Sequence, residues 1–208
     1  MSLKWKVFLR SMMIQAGWNF ERMQNIGFAF ALYPALKKIW TTPQTFKQAL
    51  ERHMAPFNTQ PYMSSFVLGM AWRLEEWIAA KAASQQLSGA ALPSVSGEGP
   101  PGPDKSGESA EERRMCAVKK TASSALAAIG DTLFWGTLKP ATLGICLIIW
   151  LVFGFHEWMV PISENDVIGT LPVQGSVIFA GLLAGLIVYN SFAVWVRWRG
   201  LSLGYECG

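Results

Sequence analysis

VIFAGLLAGLIVYNSFAVWV, Val177 to Val196, decides what kind of protein this is, because no side chain in it carries charge at neutral pH. A helix needs about 20 largely apolar residues to cross roughly 30 Å of hydrocarbon, and this stretch, extended back to Val173, predicts a spanning helix over 173–196. Upstream, ATLGICLIIWLVFGFHEWMV, Ala141 to Val160, reads as another span, with the pair His156-Glu157 near its far end. An ionisable pair at such depth is either interfacial or functional, and its place at the end favours the interface. Trp158 closes one span and Trp195 with Trp198 the other, as suits an indole with an apolar body and a polar N–H. The composition agrees: 51% apolar, 15% charged and ten tryptophans describe a chain in contact with lipid.

Charges in the flanks predict an orientation. Lys119, Lys120 and Lys139 precede the first span, Glu164 and Asp166 lie between the two, and Arg197 and Arg199 follow the second, which places Met1 to Pro140 on the cytoplasmic side. The net charge of +4 is mild and its lysines and arginines are scattered, which argues against a nucleic-acid partner. Cys116, Cys146 and Cys207 are odd in number and lack CxxC spacing, so the reading is three reduced thiols without a metal or disulfide framework. Lys4 and Lys6 precede an apolar stretch, but Arg10 and then Gln15 to Arg22 interrupt it before a cleavable signal can form.

The amino-terminal half has a different texture. Thr42-Pro43 starts a short amphipathic helix with Phe46, Leu50 and Met54 on its apolar face. After a break at Pro56 to Pro61, Phe66, Met70, Leu74, Trp77 and Ile78 form a second stripe, with Arg73, Glu75, Glu76 and Lys81 off it. Ile26 to Leu36 is almost wholly apolar but too short to cross a bilayer and interrupted at Pro34, which suggests a buried or re-entrant segment. Ser88 to Glu112, rich in Gly, Pro, Ser and acids, reads as a flexible linker. The expectation is thus an all-α integral membrane protein: amphipathic and re-entrant helices over 1–87, a linker over 88–112, and a membrane-spanning part over 113–208 with helices near 141–160 and 173–196.

No nucleophile–base set, P-loop, GxGxxG or HExxH occurs, and no cofactor or metal site is indicated. His53, in ERHMAPF, has the chemistry of a phosphoryl acceptor, but beside Glu51 and Arg52 on an amphipathic helix it reads as a surface residue. Asn58-Thr59-Gln60-Pro61 gathers neutral polar groups of the kind that bind sugar hydroxyls, although an ordinary helix-boundary turn has the same composition and is favoured on pattern alone. Asp131, in IGDTLFWGT, is a carboxylate just before the first span and needs a helix N-terminus, a cation or a sugar hydroxyl as partner. Gly175, Gly181 and Gly185, with Ala180 and Ala184, form a small-residue strip that serves equally for packing within the chain or for docking a partner helix.

Four segments carry a resemblance: FLRS (Phe8 to Ser11) followed by GWNFERMQNIGFAFALYPALKK (Gly17 to Lys38), FNTQPYM (Phe57 to Met63), AIGDTLFWGTLKP (Ala128 to Pro140) and GYECG (Gly204 to Gly208). In this order the chain resembles the IID component of mannose, fructose and sorbose phosphotransferase systems. The resemblance implies a multi-pass protein of the bacterial cytoplasmic (inner) membrane, with a cytoplasmic N-terminus, in a hetro-oligomer with a IIC membrane subunit. The pair would carry a hexose inward while a IIAB protein phosphorylates it, phosphoenolpyruvate being the ultimate donor. The subunit would not be catalytic alone. The motifs shift Asn58, Thr59, Gln60 and Asp131 toward the sugar pathway, with Asn19 and Glu21 as further candidates and a structural pairing of Glu21 with Arg22 as the other reading.

The chain departs from this family in three places. Ser123 to Ala128 stands where a Gly-Pro-Leu-Ala-Gly stretch is usual, the segment Ser88 to Glu112 is enlarged, and family members continue beyond the GYECG position. A truncated, non-transporting scaffold or regulatory subunit is therefore the alternative expectation.

Overall fold

The computed structural model describes residues 2–87, 110–158 and 175–208, and among them every regular element is helical. They form α1 (Leu3–Ser11), α2 (Asn25–Ile39), α3 (Pro43–His53), α4 (Ser64–Leu87), α5 (Ala110–Asp131), a π-helical stretch (Thr132–Leu138), α6 (Lys139–Trp158) and α7 (Gly175–Cys207). The chain divides into two compact units, one of Met1–Ala128 with Arg197–Gly208, the other of Ile129–Val196. Of the expected linker, 88–109 lies outside the described residues, and Ala110 to Glu112 already belong to α5.

In the first unit α2 is the central element, packed against α1, α3 and α4. Its Phe28, Leu32 and Leu36 are fully buried with Val67 and Leu68 of α4 and with Val7 of α1. The helix runs straight through Pro34. Proline lacks the N–H that would bond the carbonyl four residues back, here Phe30, and Arg10 Nη1 donates to that carbonyl at 3.3 Å. The expected interruption is thus absent because a cation from α1 supplies the missing donor. Pro43 opens α3 at its first turn, where a missing N–H costs nothing.

The buried face of α4 coincides with the stripe read from its sequence at Ile78 and otherwise differs from it. Val67, Leu68, Ala71, Trp72, Glu75 and Ile78 face the core, while Trp77 is 47% exposed. A carboxylate on the inner face displaces the apparent apolar period, and what makes its burial tolerable is described below.

Helix α7 extends beyond the expected end of its span, through Arg197 to Cys207. Its last turns pack on α4 through glycines of both helices. A Cβ at Gly204 would overlap the carbonyl of Phe66, and one at Gly69 would overlap backbone atoms of Leu201 and Tyr205. Such close approach is what small residues four apart permit, and Gly200, Gly204 and Gly208 have that spacing. Arg197 is buried, donates to Ser11 O and lies over the Tyr62 ring. It is therefore a packed residue and not a free flanking charge.

In the second unit Gly130 and Gly136 of the IGDTLFWGT segment sit inside helix. Thr137 Oγ1 donates to Thr132 O at 3.2 Å, and Lys139 N–H donates to Phe134 O, five residues back, as in a π-helix. Phe134 is fully buried, its ring 6.4 Å from Tyr189 and 6.0 Å from Phe192. Gly181 and Gly185 face Cys146 and Thr142 of α6, so this part of the small-residue strip packs within the chain. Elsewhere the unit's surface is apolar: Ile148, Val152 and Phe153 of α6 and Phe179, Leu186 and Ile187 of α7 are each more than half exposed. Among the described residues two helices are long and apolar enough to cross a membrane, within Glu112–Phe153 and Phe179–Cys207. Lipid is the solvent that such faces match.

Candidate functional site

The loop Gly17 to Gln24 and the loop Phe57 to Pro61 meet in the first unit. One isolated bridge, Met23 with Phe57, joins them, and another, Asn19 with Met23, closes the first loop on itself. Met23 has φ 57°, a left-handed conformation that strains a residue with a Cβ. Met23 is fixed there on two sides: its N–H donates to Asn19 O at 2.9 Å and its carbonyl accepts from Asn19 N–H at 3.0 Å.

Amide side chains lock the junction. Gln24 Nε2 donates to Thr59 O at 2.8 Å, and its Oε1 accepts from Thr59 N–H at 3.2 Å. Asn19 Nδ2 donates to Asn25 Oδ1 at 3.0 Å, and Asn25 Nδ2 donates to Met54 O at 2.9 Å. Gln60 Oε1 accepts from Tyr62 N–H at 2.7 Å and so starts the turn into α4. Thr59 and Gln60 are buried, yet Thr59 Oγ1 has no partner among the described residues, and Asn58 is exposed beside them. Of the candidates from sequence, the structure thus gathers Asn19, Asn58, Thr59 and Gln60. Glu21 and Arg22 are both exposed. Asp131 belongs to the other unit, is exposed, and forms no side-chain cap on the helical stretch that follows it.

A second constellation lies between α3 and α4, and it was not foreseen. Glu75 is fully buried and accepts four hydrogen bonds: Trp40 Nε1 at 2.7 Å, Arg52 Nε at 2.7 Å, Arg52 Nη2 at 2.9 Å and His53 Nε2 at 2.8 Å. Arg52 also pairs with Glu112 through its other terminal nitrogen. Burial alone would raise the Glu75 pKa, but the bonds from His53 and Arg52 outweigh it and hold the carboxyl at about 2. Burial, together with the nearby Lys119 and Arg52 charges, lowers the His53 pKa to about 4, so the ring is neutral with its proton on Nε2. His53 Nδ1 is buried without a partner among the described residues, and Lys119 Nζ reaches His53 O at 3.5 Å while lying 4.2 Å from the centre of the Phe28 ring.

His53 is consequently a core residue and not the surface residue expected. Its Nε2 faces Glu75 with no solvent access, which a histidine receiving a phosphoryl group from another protein would need. Glu75 was read as lying off the apolar face. The signal that could have placed it is the run Val67, Leu68, Ala71 and Trp72, whose period reaches position 75 one turn later.

Residues 2–95 match the family described as EIID-AGA, the PTS system mannose/fructose/sorbose family IID component. The mannose-specific EIID component of Escherichia coli (strain K12) is 30% identical over 205 residues, covering 97% of this chain and 54% of that protein. The sorbose-specific EIID component of Klebsiella pneumoniae is 27% identical and the fructose permease IID component of Bacillus subtilis (strain 168) 29% identical, each covering 97% of this chain, with 56% and 55% of their own lengths matched. A chain of the cryo-EM complex of the mannose transporter ManYZ with microcin E492 (MceA) superposes with a TM-score of 0.68 and 27% identity, covering 100% of this chain and 58% of that one. Fold and apolar helices together describe a helical membrane protein. The chain is similar to IID components of the mannose/fructose/sorbose phosphotransferase systems, and it spans about half the length of the curated relatives it matches.

Proposed function

We propose that this chain is a non-phosphorylated permease subunit that pairs with a IIC membrane subunit to bind and translocate a hexose, which a IIAB protein phosphorylates. The observation that carries this reading is the likeness of fold over the full chain to a chain of the ManYZ mannose transporter. Asn58, exposed beside the unpartnered Thr59 hydroxyl, supplies the groups that meet sugar hydroxyls. Asn19 and Gln60 position that loop, their amides being engaged with neighbouring groups. Asp131 and Glu21, both exposed carboxylates, are the acidic candidates along the pathway or its gate. The N-terminus is cytoplasmic and the chain multi-pass.

The test is uptake and phosphoenolpyruvate-dependent phosphorylation of labelled mannose-type sugars in cells that retain the IIC and IIAB partners but lack this gene. Restoration by the chain, and not by Asn58→Ala or Asp131→Ala at equal membrane abundance, is the expected result. Stable co-purification with IIC without any effect on uptake would replace the permease with a docking scaffold.

A further inference from the structure

In the first fifty residues Lys4, Lys6, Arg10, Arg22, Lys37, Lys38 and Lys47 face a single acid, Glu21. Four of these cations are brought together. Lys6 and Arg10 of α1, Lys37 and Lys38 of α2, with Leu3 and Tyr33, line a cleft of about 540 Å³. Among the described residues no carboxylate forms an ion pair with any of the four. Like charges held in one cleft repel unless an anion joins them.

What lies beside the cleft distinguishes the kind of anion. One step around α1 from Lys6 and Arg10, Trp5 and Leu9 are 45% and 46% exposed, and Phe30 of α2 is 46% exposed. The Trp5 ring packs at 4.7 Å on Trp198, which stands two residues beyond the apolar stretch ending at Val196. Lys4 Nζ lies 4.4 Å from the centre of that same Trp198 ring. Indoles with lysine at the end of an apolar helix belong at the lipid headgroup level, so the cations sit beside apolar side chains that a nucleic acid or an acidic protein would leave wet.

We infer that the α1–α2 cleft binds the phosphate of an anionic phospholipid, with Lys6, Arg10, Lys37 and Lys38 around the headgroup and Trp5, Leu9 and Phe30 against its acyl chains. This rests on the chain's place in a membrane and not on sugar transport. Arg10 serves two ends: its guanidinium also satisfies the carbonyl left open by Pro34, which holds it at the cleft.

The experiment uses the full chain in nanodiscs of phosphatidylcholine and phosphatidylglycerol, with the lipid retained after detergent extraction read by mass spectrometry. Phosphatidylglycerol should be enriched, and a photoactivatable analogue should crosslink to the peptides of α1 and α2 that line the cleft. The triple variant Lys6→Gln, Lys37→Gln, Lys38→Gln should lower the enrichment about tenfold. The control Lys47→Gln, Arg113→Gln, Lys120→Gln, which removes as much charge from exposed sites elsewhere, should keep it; circular dichroism checks the fold of both. Equal loss in the control, undiminished enrichment in the cleft variant, or wild-type crosslinks that map elsewhere would each overturn the inference. So would saturation by soluble glycerol phosphate with no preference among lipids.

Discussion

Glu75 and Asn58 show how differently two polar residues of one unit are used. Glu75 is enclosed with all its bonds made inside the protein, so removing it leaves Arg52 and His53 facing an unfilled buried site. Breaking a buried ion pair from one side costs about 3–5 kcal/mol, and Glu75→Ala should lower the thermal midpoint in detergent and the membrane abundance together. The same network predicts acid sensitivity. Glu75 is held at about 2, so its contribution is present above the ordinary value of 4.5 and is lost as the pH falls toward 2. His53, held at about 4, resists a proton that the unfolded chain accepts below its ordinary value of 6.5, so stability should decline as the pH falls from 6.5 to 4 and then level for this group. Thermal midpoints across that range check the sign, and the decline between 6.5 and 4 should be reduced in His53→Gln. Asn58→Ala, by contrast, removes an exposed side chain and should leave the stability within about 0.5 kcal/mol of wild type. Gln24→Ala breaks two buried bonds to Thr59 and should cost several times more. A midpoint for Asn58→Ala as low as that of Gln24→Ala would make the loop a folding element first.

Helix contacts in this protein depend on where a glycine lies and not on how many there are. A Cβ at Gly204 would overlap the backbone of Phe66 and one at Gly69 the backbone of Leu201 and Tyr205, whereas one at Gly144 or Gly136 would meet open space. Gly204→Ala should therefore force α4 and α7 apart within the first unit, while Gly144→Ala should be neutral or stabilising by up to about 1 kcal/mol through helix propensity. Detergent thermal midpoints of the two variants should move in opposite directions, and equal losses would remove the close-packing account. The spacing of Gly200, Gly204 and Gly208 is visible in the sequence GLSLGYECG, but which helix would meet it is not, since its partner Gly69 lies more than a hundred residues away. Pro34 teaches the same lesson. A proline reads locally as a break, and only the approach of Arg10 from another helix explains why α2 continues.

The exposed apolar faces of α6 and α7 give the molecule its place. Leu186, 60% exposed near the middle of the stretch from Val177 to Val196, meets lipid. Leu186→Arg puts a charge there at about 2.5–3.5 kcal/mol on an insertion scale, and it should release the chain from carbonate-washed membranes or abolish its accumulation. Retention equal to wild type would mean that this helix does not cross. The helical class and the two apolar helices were legible in the chain, because hydrocarbon thickness and helical rise translate directly into run length. The burial of His53, the inward face of Glu75 and the locking of Thr59 by Gln24 were not. Each depends on partners some 22 to 35 residues distant, and a polar side chain's own neighbours in sequence do not say whether a distant donor will arrive to make its burial tolerable. Lipid-facing surface follows from local composition, whereas a buried charge is settled only when the helices that carry its partners have packed.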